Sequence, residues 1–387
     1  MSYREQNYRW DFALKASPEE LWPFISDTNR FNRDTGVPAI QPAGAAQRLR
    51  NARRRLQFSF YGMSVEWEEQ PFEWLRPSRF GVVRKYIKGP MVELRALAEL
   101  KPRDDGGTDL SYSVDITPRS IFAGLIVWLQ INLISKKRFE GAFRKYDEVA
   151  RTKTEVPAAE VHIGEAAASR LHLVRSKLID DGSEPQVVDR LIEFLQTADD
   201  FSLSRIRPYE LADNWGASRR ALLEACLRAT RQGILDLQWE VLCPLCRGAK
   251  ETDSTLHEMT SQIHCETCRI DFTVNFDRFV ELTFRPNAMI RRVEALDFCM
   301  GSPQWTPHIV AQQLMAAHNT RVLDLPLEPG RYRLRALELK GEQTIVVSDD
   351  GPKAGAVTVE ESGWSQDELQ LASQSTLQLQ NATAAEQ

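Results

Sequence analysis

Two Cys-x-x-Cys pairs in the middle of the chain constrain its fold more than any other feature. Cys243 and Cys246 form the first pair, Cys265 and Cys268 form the second, and 18 residues separate the two pairs. Each pair offers two thiolates from one turn, and two such turns complete the tetrahedral shell of Zn²⁺. Because the flanking segments have strand patterns, residues 243–276 are predicted to form a zinc ribbon. Free buried thiols and redox-active thiols are the alternatives.

The predicted metal has a structural role. A shell of four thiolates leaves no position for water or substrate, whereas a catalytic zinc keeps one position open. His257 and His264 lie nearby in the sequence, but four cysteines complete the shell without them. The sequence therefore predicts a structural Zn²⁺ as the only cofactor.

The first 152 residues follow the order strand, helix, several strands and one long helix. YRWDFALKAS alternates apolar and polar residues, and SPEELWPFISDTNRFN begins with an N-cap serine and carries an apolar stripe. The segments from Arg54 to Pro118 are bounded by Gly, Pro or Asp and are typical of consecutive antiparallel strands. Phe139, Phe143 and Tyr146 then recur at helical spacing, which predicts a closing helix.

This first segment, residues 1–152, resembles the START-like (SRPBCC) superfamily. The resemblance lies in the W-x-F-x-L-x-A-S-x-E-E-L-W opening, from Trp10 to Trp22, and in the SDTNRFNR stretch that follows. It implies a helix-grip domain, in which a curved antiparallel sheet surrounds a long C-terminal helix and an apolar or amphipathic small molecule binds between them. The candidate lining residues of that cavity are Phe60, Trp67, Trp74, Tyr86, Leu125 and Trp128. The alternative is that these side chains pack a closed core, and no residue pair in this segment indicates catalysis.

The most apolar run of the chain is IFAGLIVWLQINLI, from Ile121 to Ile134. It is shorter than the roughly 20 residues needed to cross a bilayer, and Gln130 and Asn132 interrupt it. A buried helix is therefore expected, with no membrane span. The N-terminal stretch MSYREQNYRWDF lacks the apolar core of a signal peptide, and the cysteines are not spread as a disulfide framework, so a cytoplasmic location is expected.

A linker at residues 153–168 is predicted to lead into a winged-helix-like unit at residues 169–242. PYELADNW predicts a short helix, Gly216 a tight turn, Ser218 the N-cap of the next helix, and ILDLQWEV a strand. This order of helix, turn, helix and strand is typical of winged helices.

DNA binding is the alternative function that this unit raises. Arg219 and Arg220 stand at the start of the second helix, where base contacts are usually made. The chain has 49 basic against 54 acidic residues, a net charge of −5, so any attraction for nucleic acid or anionic lipid requires a local patch. Nucleic acid is not the expected partner, and a structural role for the two arginines is the competing interpretation.

Residues 277–387 are predicted to form a β-rich, sandwich-like unit. RFVELTFRPN, RYRLRALEL, QTIVVSDD, AGAVTVEES and STLQLQNAT are short strand patterns separated by Gly, Pro and Asp. TPHIVAQQLMAAHNT predicts one helix-like interlude. The final strand pattern ends close to the last residue, so the last sheet is expected to lack a partner. The fold class is thus multidomain α+β.

Nearly all of residues 8–385 is similar to the region that precedes the catalytic domain in a group of bacterial class III adenylate/guanylate cyclases. WEVLCPLCR, HCETCRIDF, VELTFRP, FCMGSPQWTPHI and LEPGRYRLR carry this resemblance. The metal-binding aspartate motif of those cyclases is absent from the sequence, so no cyclase activity is expected of this chain alone. The resemblance implies a ligand-sensing regulatory module that acts on a cyclase catalytic domain, in cis or in trans. Its oligomeric state is left open. The alternative is a transcription regulator that uses Arg219 and Arg220.

Overall fold

The computed structural model is mixed α+β with several sheets, as the sequence predicts. Its described residues separate into two compact units, the first drawn from Met1–Thr152 and Phe298–Gln387, the second from Lys153–Glu266 and Ile270–Asp297. The five predicted segments and their helix-grip, winged-helix and zinc-ribbon assignments stay predictions. The structure describes residues 4–42, 54–60, 62–152, 163–244, 247–265, 270–293, 303–306, 308–336, 339, 341–365 and 368–387.

An antiparallel sheet dominates the N-terminal part of the first unit. Its strands are β1 (Gln6–Leu14), β2 (Gln41–Pro42), β3 (Arg54–Phe60), β4 (Met63–Glu69), β5 (Glu73–Leu75), β6 (Arg79–Lys88), β7 (Met91–Pro102) and β8 (Thr108–Pro118). The order across the sheet is β1-β8-β7-β6-β4-β3-β2, and β5 pairs with β6. Side chains alternate between the two faces of each strand, and one face, here called the inner face, is largely buried.

Two short helices follow β1: α1 (Pro18–Ile25) and α2 (Thr28–Asp34). Ser17 caps α1, as the sequence predicts. Its hydroxyl accepts a hydrogen bond from the Glu20 amide, while the Glu20 carboxylate accepts one from the Ser17 amide at 3.0 Å. This capping box satisfies two of the amide donors that a helix start leaves unpaired.

A continuous helical segment follows β8. It consists of α3 (Ile121–Gln130), a π turn (Ile131–Ser135) and α4 (Lys136–Thr152). The α4 helix buries one face against the sheet and α1, and Asp147 of α4 accepts hydrogen bonds from the amides of Lys15 and Ala16, each at 2.8 Å. The α4 end of the segment is therefore fixed to the end of β1.

The second unit is a helical cluster with two small sheets. Its elements are α5 (Glu165–Asp180), α6 (Pro185–Thr197), α7 (Asp200–Ser204), α8 (Pro208–Trp215), α9 (Arg219–Arg231), β9 (Leu235–Leu242), β10 (Ala249–Asp253), β11 (Gln262–Cys265), β12 (Ile270–Thr273), α10 (Phe276–Phe279) and β13 (Val280–Pro286). One sheet has the order β10-β9-β13, and β11 pairs with β12 in the other. Gly216 ends α8 at a φ of 63°, and the Ser218 hydroxyl caps α9. The predicted order of helix, turn, helix and strand is thus present.

The remaining strands belong to the first unit. They are β14 (Ala311–Gln312), β15 (Thr320–Pro326), β16 (Gly330–Leu334), β17 (Gln343–Ser348), β18 (Ala354–Glu360), β19 (Gly363–Trp364), β20 (Glu368–Ala372) and β21 (Gln374–Asn381). They form a sheet of order β15-β21-β18-β19 and another of order β16-β17-β20, while β14 pairs with β5 of the N-terminal sheet.

Two expectations for this region are wrong. The described residues of the TPHIVAQQLMAAHNT interlude contain the strand β14 and no helix. The sheet that contains the last strand, β21, does not lack a partner, because its Leu323, Val357 and Leu377 form one buried cluster with Ile345 and Leu371 of the β16-β17-β20 sheet. The VELTFRP strand, β13, pairs with β9 of the second unit, and its Phe284 is buried in the helical core of that unit.

Candidate functional site

Aromatic side chains fill the inner face of the N-terminal sheet beneath the start of α4. Phe139 and Phe143 of α4 each have ring centroids 5.2 to 5.5 Å from rings contributed by the sheet and α2. The partner rings are Trp10, Phe12, Phe31 and Tyr112. This part of the inner face is a packed core, so it offers no room for a ligand.

A second, smaller cluster lies on β3, β4 and β6. Trp67 is almost fully buried, and its ring centroid lies 6.0 Å from that of Tyr86 and 5.4 Å from that of Phe58. Met91 and Leu94 of β7 are half-buried and contact both this cluster and the core beneath α4. The two half-buried side chains therefore mark the border between the two clusters.

An ion pair interrupts the apolar inner face beside Trp67. Arg84 Nε donates to Glu69 Oε2 at 3.0 Å, and the Glu69 and Arg84 side chains are only 5% and 13% exposed. The Arg84 guanidinium also lies over the Trp67 ring, 5.5 Å from its centroid. Burying two charges is costly even when they pair, so this pair is not explained by packing alone.

The tyrosines near Arg84 are neutral. Burial raises the pKa of Tyr86, and it raises the pKa of Tyr112 to about 12, while the charge of Arg84 opposes both shifts. Both hydroxyls therefore keep their protons at neutral pH and remain able to donate hydrogen bonds.

Trp67 carries an unsatisfied donor. Its indole Nε1–H is buried and has no hydrogen-bond partner among the described residues. A buried unpaired donor costs about 1–3 kcal/mol, so it is uncommon unless something else binds there. We call Trp67, Glu69, Arg84 and Tyr86 the polar centre. It combines one unpaired N–H, a cation and a carboxylate within an apolar surface.

The structure brings only some of the predicted cavity residues together. Trp67 and Tyr86 are neighbours in the β4–β6 register. Trp74 belongs to the other cluster, and its Nε1 donates to Ile309 O at 2.9 Å, so its donor is already paired. The side chain of Phe60 lies outside the described residues.

The remaining two candidates, Leu125 and Trp128, lie on α3 and are 56% and 49% exposed. The expectation of a buried helix at Ile121–Ile134 is therefore wrong. An apolar run without a polar face carries no information about which side packs, and α3 buries mainly Ala123, Gly124 and Val127. Among the described residues, no helix is both long and apolar enough to cross a membrane.

Glu69 and Arg84 were not among the predicted site residues, although the strand pattern locates them. Val65, Trp67 and Glu69 occupy alternate positions of β4, and Val82, Arg84 and Tyr86 do so on β6. Period-two alternation therefore assigns each charged residue to the same face as its aromatic neighbour. A charged residue on the apolar face of a strand was therefore the sequence signal that could have identified Glu69 and Arg84 as site residues.

The structure describes two of the four predicted zinc ligands. Cys243 and Cys265 are fully buried, at the end of β9 and of β11 respectively, while Cys246 and Cys268 lie outside the described residues. Gly248 O accepts a hydrogen bond from the Cys243 amide at 3.0 Å, and Arg247 adopts a positive φ of 56°. Within the described ranges, no group of three or more His, Cys, Asp or Glu side chains is placed to hold a metal.

The predicted DNA-contacting arginines are paired with nearby carboxylates. Arg219 makes two hydrogen bonds to Asp213, at 2.7 and 2.6 Å, and Arg220 donates to Glu224 at 2.8 Å. These carboxylates offset the two positive charges, so the start of α9 presents no net cationic surface.

A cleft of about 390 Å³ opens on the outer face of the N-terminal sheet. Its lining comes from β5, β6, β7 and β15 and includes Glu73 and Arg321, which form an ion pair. The cleft is polar and lies on the face opposite the polar centre, so it is not the predicted apolar cavity.

Comparison with solved structures finds START-like proteins similar to the N-terminal part of the chain. The Zhui aromatase/cyclase from Streptomyces sp. R1128 is 12% identical, and the similarity covers 40% of this chain and 100% of that protein with a TM-score of 0.31. A START superfamily protein from Mycobacterium smegmatis is also 12% identical, with 37% and 97% covered and a TM-score of 0.28. The protein TTHA0849 from Thermus thermophilus is 18% identical, with 38% and 99% covered and a TM-score of 0.28.

Sequence comparison identifies a different region. Residues 172–352 match the model of DUF5939, a family of unknown function. No curated protein matches the chain. The matched residues begin within α5 and end after β17, so they include parts of both compact units.

Proposed function

We propose that the N-terminal part of the chain binds an amphipathic small molecule at the polar centre, and that the chain is a regulatory module of a class III nucleotide cyclase. The observation that carries the ligand proposal is the buried, unpaired N–H of Trp67 beside the Glu69–Arg84 pair. A ligand with a hydrogen-bond acceptor would satisfy this donor and would also contact the Arg84 guanidinium.

The apolar part of the ligand has a restricted path. Aromatic rings fill the space beneath the start of α4, so the ligand body lies instead along the half-buried Met91 and Leu94. Binding sites for small molecules combine such apolar walls with a few polar groups that fix orientation. A purely apolar ligand would leave Trp67 Nε1 unpaired, which favours an amphipathic one.

The cyclase proposal rests on the sequence resemblance described above. The continuous helical segment from Ile121 to Thr152 borders the ligand-binding domain and leads along the chain into the second unit. A ligand that binds one position of this segment more tightly than another shifts its equilibrium, which is the requirement for signalling to a catalytic domain in cis or in trans.

Zinc completes the proposal as a structural cofactor. Cys243, Cys246, Cys265 and Cys268 would hold one Zn²⁺ in a closed shell. The full burial of the two described cysteines and the hydrogen bond from the Cys243 amide to Gly248 O support this assignment. The metal would join the β9–β10 turn to the β11–β12 hairpin, and it has no part in catalysis.

A pair of matched tryptophan variants tests the ligand site. The probe is 1-anilinonaphthalene-8-sulfonate, which has an apolar body and an anionic acceptor, titrated by fluorescence against the full chain. Trp67→Phe removes the unpaired N–H, so we expect probe affinity to fall about tenfold, the value of one charge-assisted hydrogen bond. We expect this variant to lose less stability than Trp74→Phe, because no hydrogen bond among the described residues is broken. Trp74→Phe is the control, because its N–H is already paired with Ile309 O.

For Trp74→Phe we expect the opposite pattern, namely lower stability with unchanged probe affinity. Native mass spectrometry of protein purified from its own source should in addition show a bound small molecule. Equal probe affinity for the wild-type protein, Trp67→Phe and Arg84→Met would exclude the polar centre as the binding site.

A further inference from the structure

The α3 helix and the π turn expose a large apolar surface. Eight bulky apolar side chains between Ile121 and Ile134 are 38% to 81% exposed. They are Ile121, Phe122, Leu125, Ile126, Trp128, Leu129, Leu133 and Ile134. Folded proteins rarely expose contiguous apolar patches of this kind unless the patch binds something.

The exposed side chains of α3 form one continuous arc. With 3.6 residues per turn, the positions from Trp128 through Leu125 to Ile126 span about 160° of the helix circumference. No polar residue interrupts this arc between Ile121 and Leu129. The opposite side of the helix, at Ala123, Gly124 and Val127, packs against the domain.

A strand hairpin extends the arc. Ile87 of β6 and Val92 of β7 are each 43% exposed. Arg119 lies two residues before the first residue of α3. Its guanidinium donates to the carbonyl oxygens of Tyr86, Ile87, Gly89 and Met91 at 3.0 to 3.3 Å. These bonds hold the hairpin beside the start of α3. We call the exposed arc together with Ile87 and Val92 the apolar rim.

Positive charge borders the apolar rim. Residues 119–138 include Arg119, Lys136, Lys137 and Arg138 and no acidic residue, although the whole chain has a net charge of −5. Lys136 and Lys137 are exposed and directly follow the π turn. The cations beside the apolar rim therefore supply the local positive charge that attraction to an anionic surface requires.

We propose that the apolar rim docks on an anionic lipid surface, with α3 lying in the plane of the interface. Aromatic and aliphatic side chains on one side of a helix, next to lysine and arginine, are the features that place a helix at the boundary between headgroups and acyl chains. The ten-residue α3 is too short to span a bilayer. This inference is independent of the proposed ligand site and of cyclase regulation.

A second copy of the chain fits the rim less well. A two-fold symmetric dimer would place the same surface against itself, and the cations around one rim would then face those around the other. An anionic membrane supplies both an apolar layer for the side chains and negative charge for the lysines. The charge around the rim therefore favours lipid.

Co-sedimentation of the full chain with vesicles tests the proposal. We expect binding to vesicles of phosphatidylcholine with phosphatidylglycerol, weaker binding to phosphatidylcholine alone, and release as salt is raised. Lys136→Glu/Lys137→Glu should weaken binding at least about 25-fold, since one lysine near such a surface accounts for roughly a fivefold change. Lys101→Glu/Lys353→Glu is the control, because it changes the net charge equally at exposed positions elsewhere.

The apolar contribution has its own matched pair. Leu125→Glu should weaken vesicle binding at least about tenfold, while Val322→Glu, at a 60% exposed valine of β15, should leave it unchanged. Insertion is read from Trp128: brominated lipids should quench part of the tryptophan fluorescence, and Trp128→Phe should remove that part.

Three results would overturn the proposal. The first is equal binding with and without phosphatidylglycerol, and the second is an equal loss in the control variants. The third is a lipid-free dimer that Leu125→Glu dissociates, with no vesicle binding by the wild-type protein, which would assign the rim to a second copy of the chain.

Discussion

Glu69 and Arg84 each lose most of their hydration on the inner face of the sheet, and their ion pair offsets only part of that cost. Arg84 also contacts the Trp67 ring, so one guanidinium is shared between a carboxylate and an aromatic face. The consequence is asymmetric. Removing one partner leaves the other buried charge without its counter-ion, whereas removing both leaves a neutral surface.

A double-mutant cycle at these two residues should show this asymmetry. We expect Arg84→Met and Glu69→Gln each to destabilise the domain by about 3 kcal/mol, because each removes one charge of the buried ion pair and leaves the other without its counter-ion. The double variant should lose much less than the sum. Hydrogen exchange of the β4 and β6 amides measures the local free energy of opening. Additive losses would show that the two charges do not depend on each other.

The same residues show how far the sequence could predict the site. Alternation along β4 and β6 assigns Glu69 and Arg84 to the buried face, but their pairing depends on the β4–β6 register. That register contains an irregularity between Glu66 and Trp67, and β5 separates the two strands in the sequence. No local pattern specifies such a non-local alignment, so the polar centre could not be identified as a unit.

At the scale of elements, local signals were reliable where one residue type has one physical role. Ser17 and Ser218 cap helices and Gly216 ends one, as predicted, because a hydroxyl acceptor and a left-handed φ are local requirements. The helix at Ile121–Ile134 was predicted, but its burial was predicted wrongly, because a run that is apolar all round does not show which side packs. The two-residue strand β14 is too short to leave any periodic signal.

The prediction at the scale of elements concerns the four cysteines proposed to bind zinc. We expect about one Zn²⁺ per chain, bound by the four cysteines, and loss of the metal with local unfolding of the β9–β12 region in Cys246→Ser. The N-terminal domain should keep its structure. Plasma mass spectrometry measures the metal, and thiol titration before and after chelation counts the cysteines that the metal protects.

Cys226 is an internal control for that titration. Burial raises the pKa of its thiol to about 12. The thiol therefore stays protonated and unreactive at about pH 8, and it should react only after unfolding. As the pH rises above about 9, the unfolded chain ionises this thiol and the folded one does not, so the fold loses stability there. Four freely reactive thiols in the folded, metal-free, untreated protein would contradict the zinc assignment.

At the scale of the whole molecule, the sequence lacks the metal-binding aspartate motif of class III cyclases. We expect the purified chain to form no cyclic nucleotide from ATP or GTP with Mg²⁺ or Mn²⁺ for this reason. Turnover measured by chromatography should equal that of a buffer control. Activity that a substitution in this chain abolishes would contradict the prediction.

Regulation is a separate measurement at the same scale. Adding the full chain to a class III catalytic domain should change its turnover, and the ligand of the polar centre should alter that change in the wild-type protein but not in Trp67→Phe. If the turnover of the catalytic domain is the same with and without the chain, the cyclase is excluded as the partner. The ligand-binding proposal would not be affected by that result.

The pairing of β5 with β14 also affects the order in which the protein folds during synthesis. Trp74 and Ile309, which the pairing brings into hydrogen-bond contact, are 235 residues apart. At roughly 5–20 residues per second, a ribosome needs on the order of 10 to 50 s to make that length. Throughout this interval β5 is an edge strand and Trp74 lacks its acceptor, so the nascent N-terminal domain waits for a distant part of its own chain before its sheet is complete.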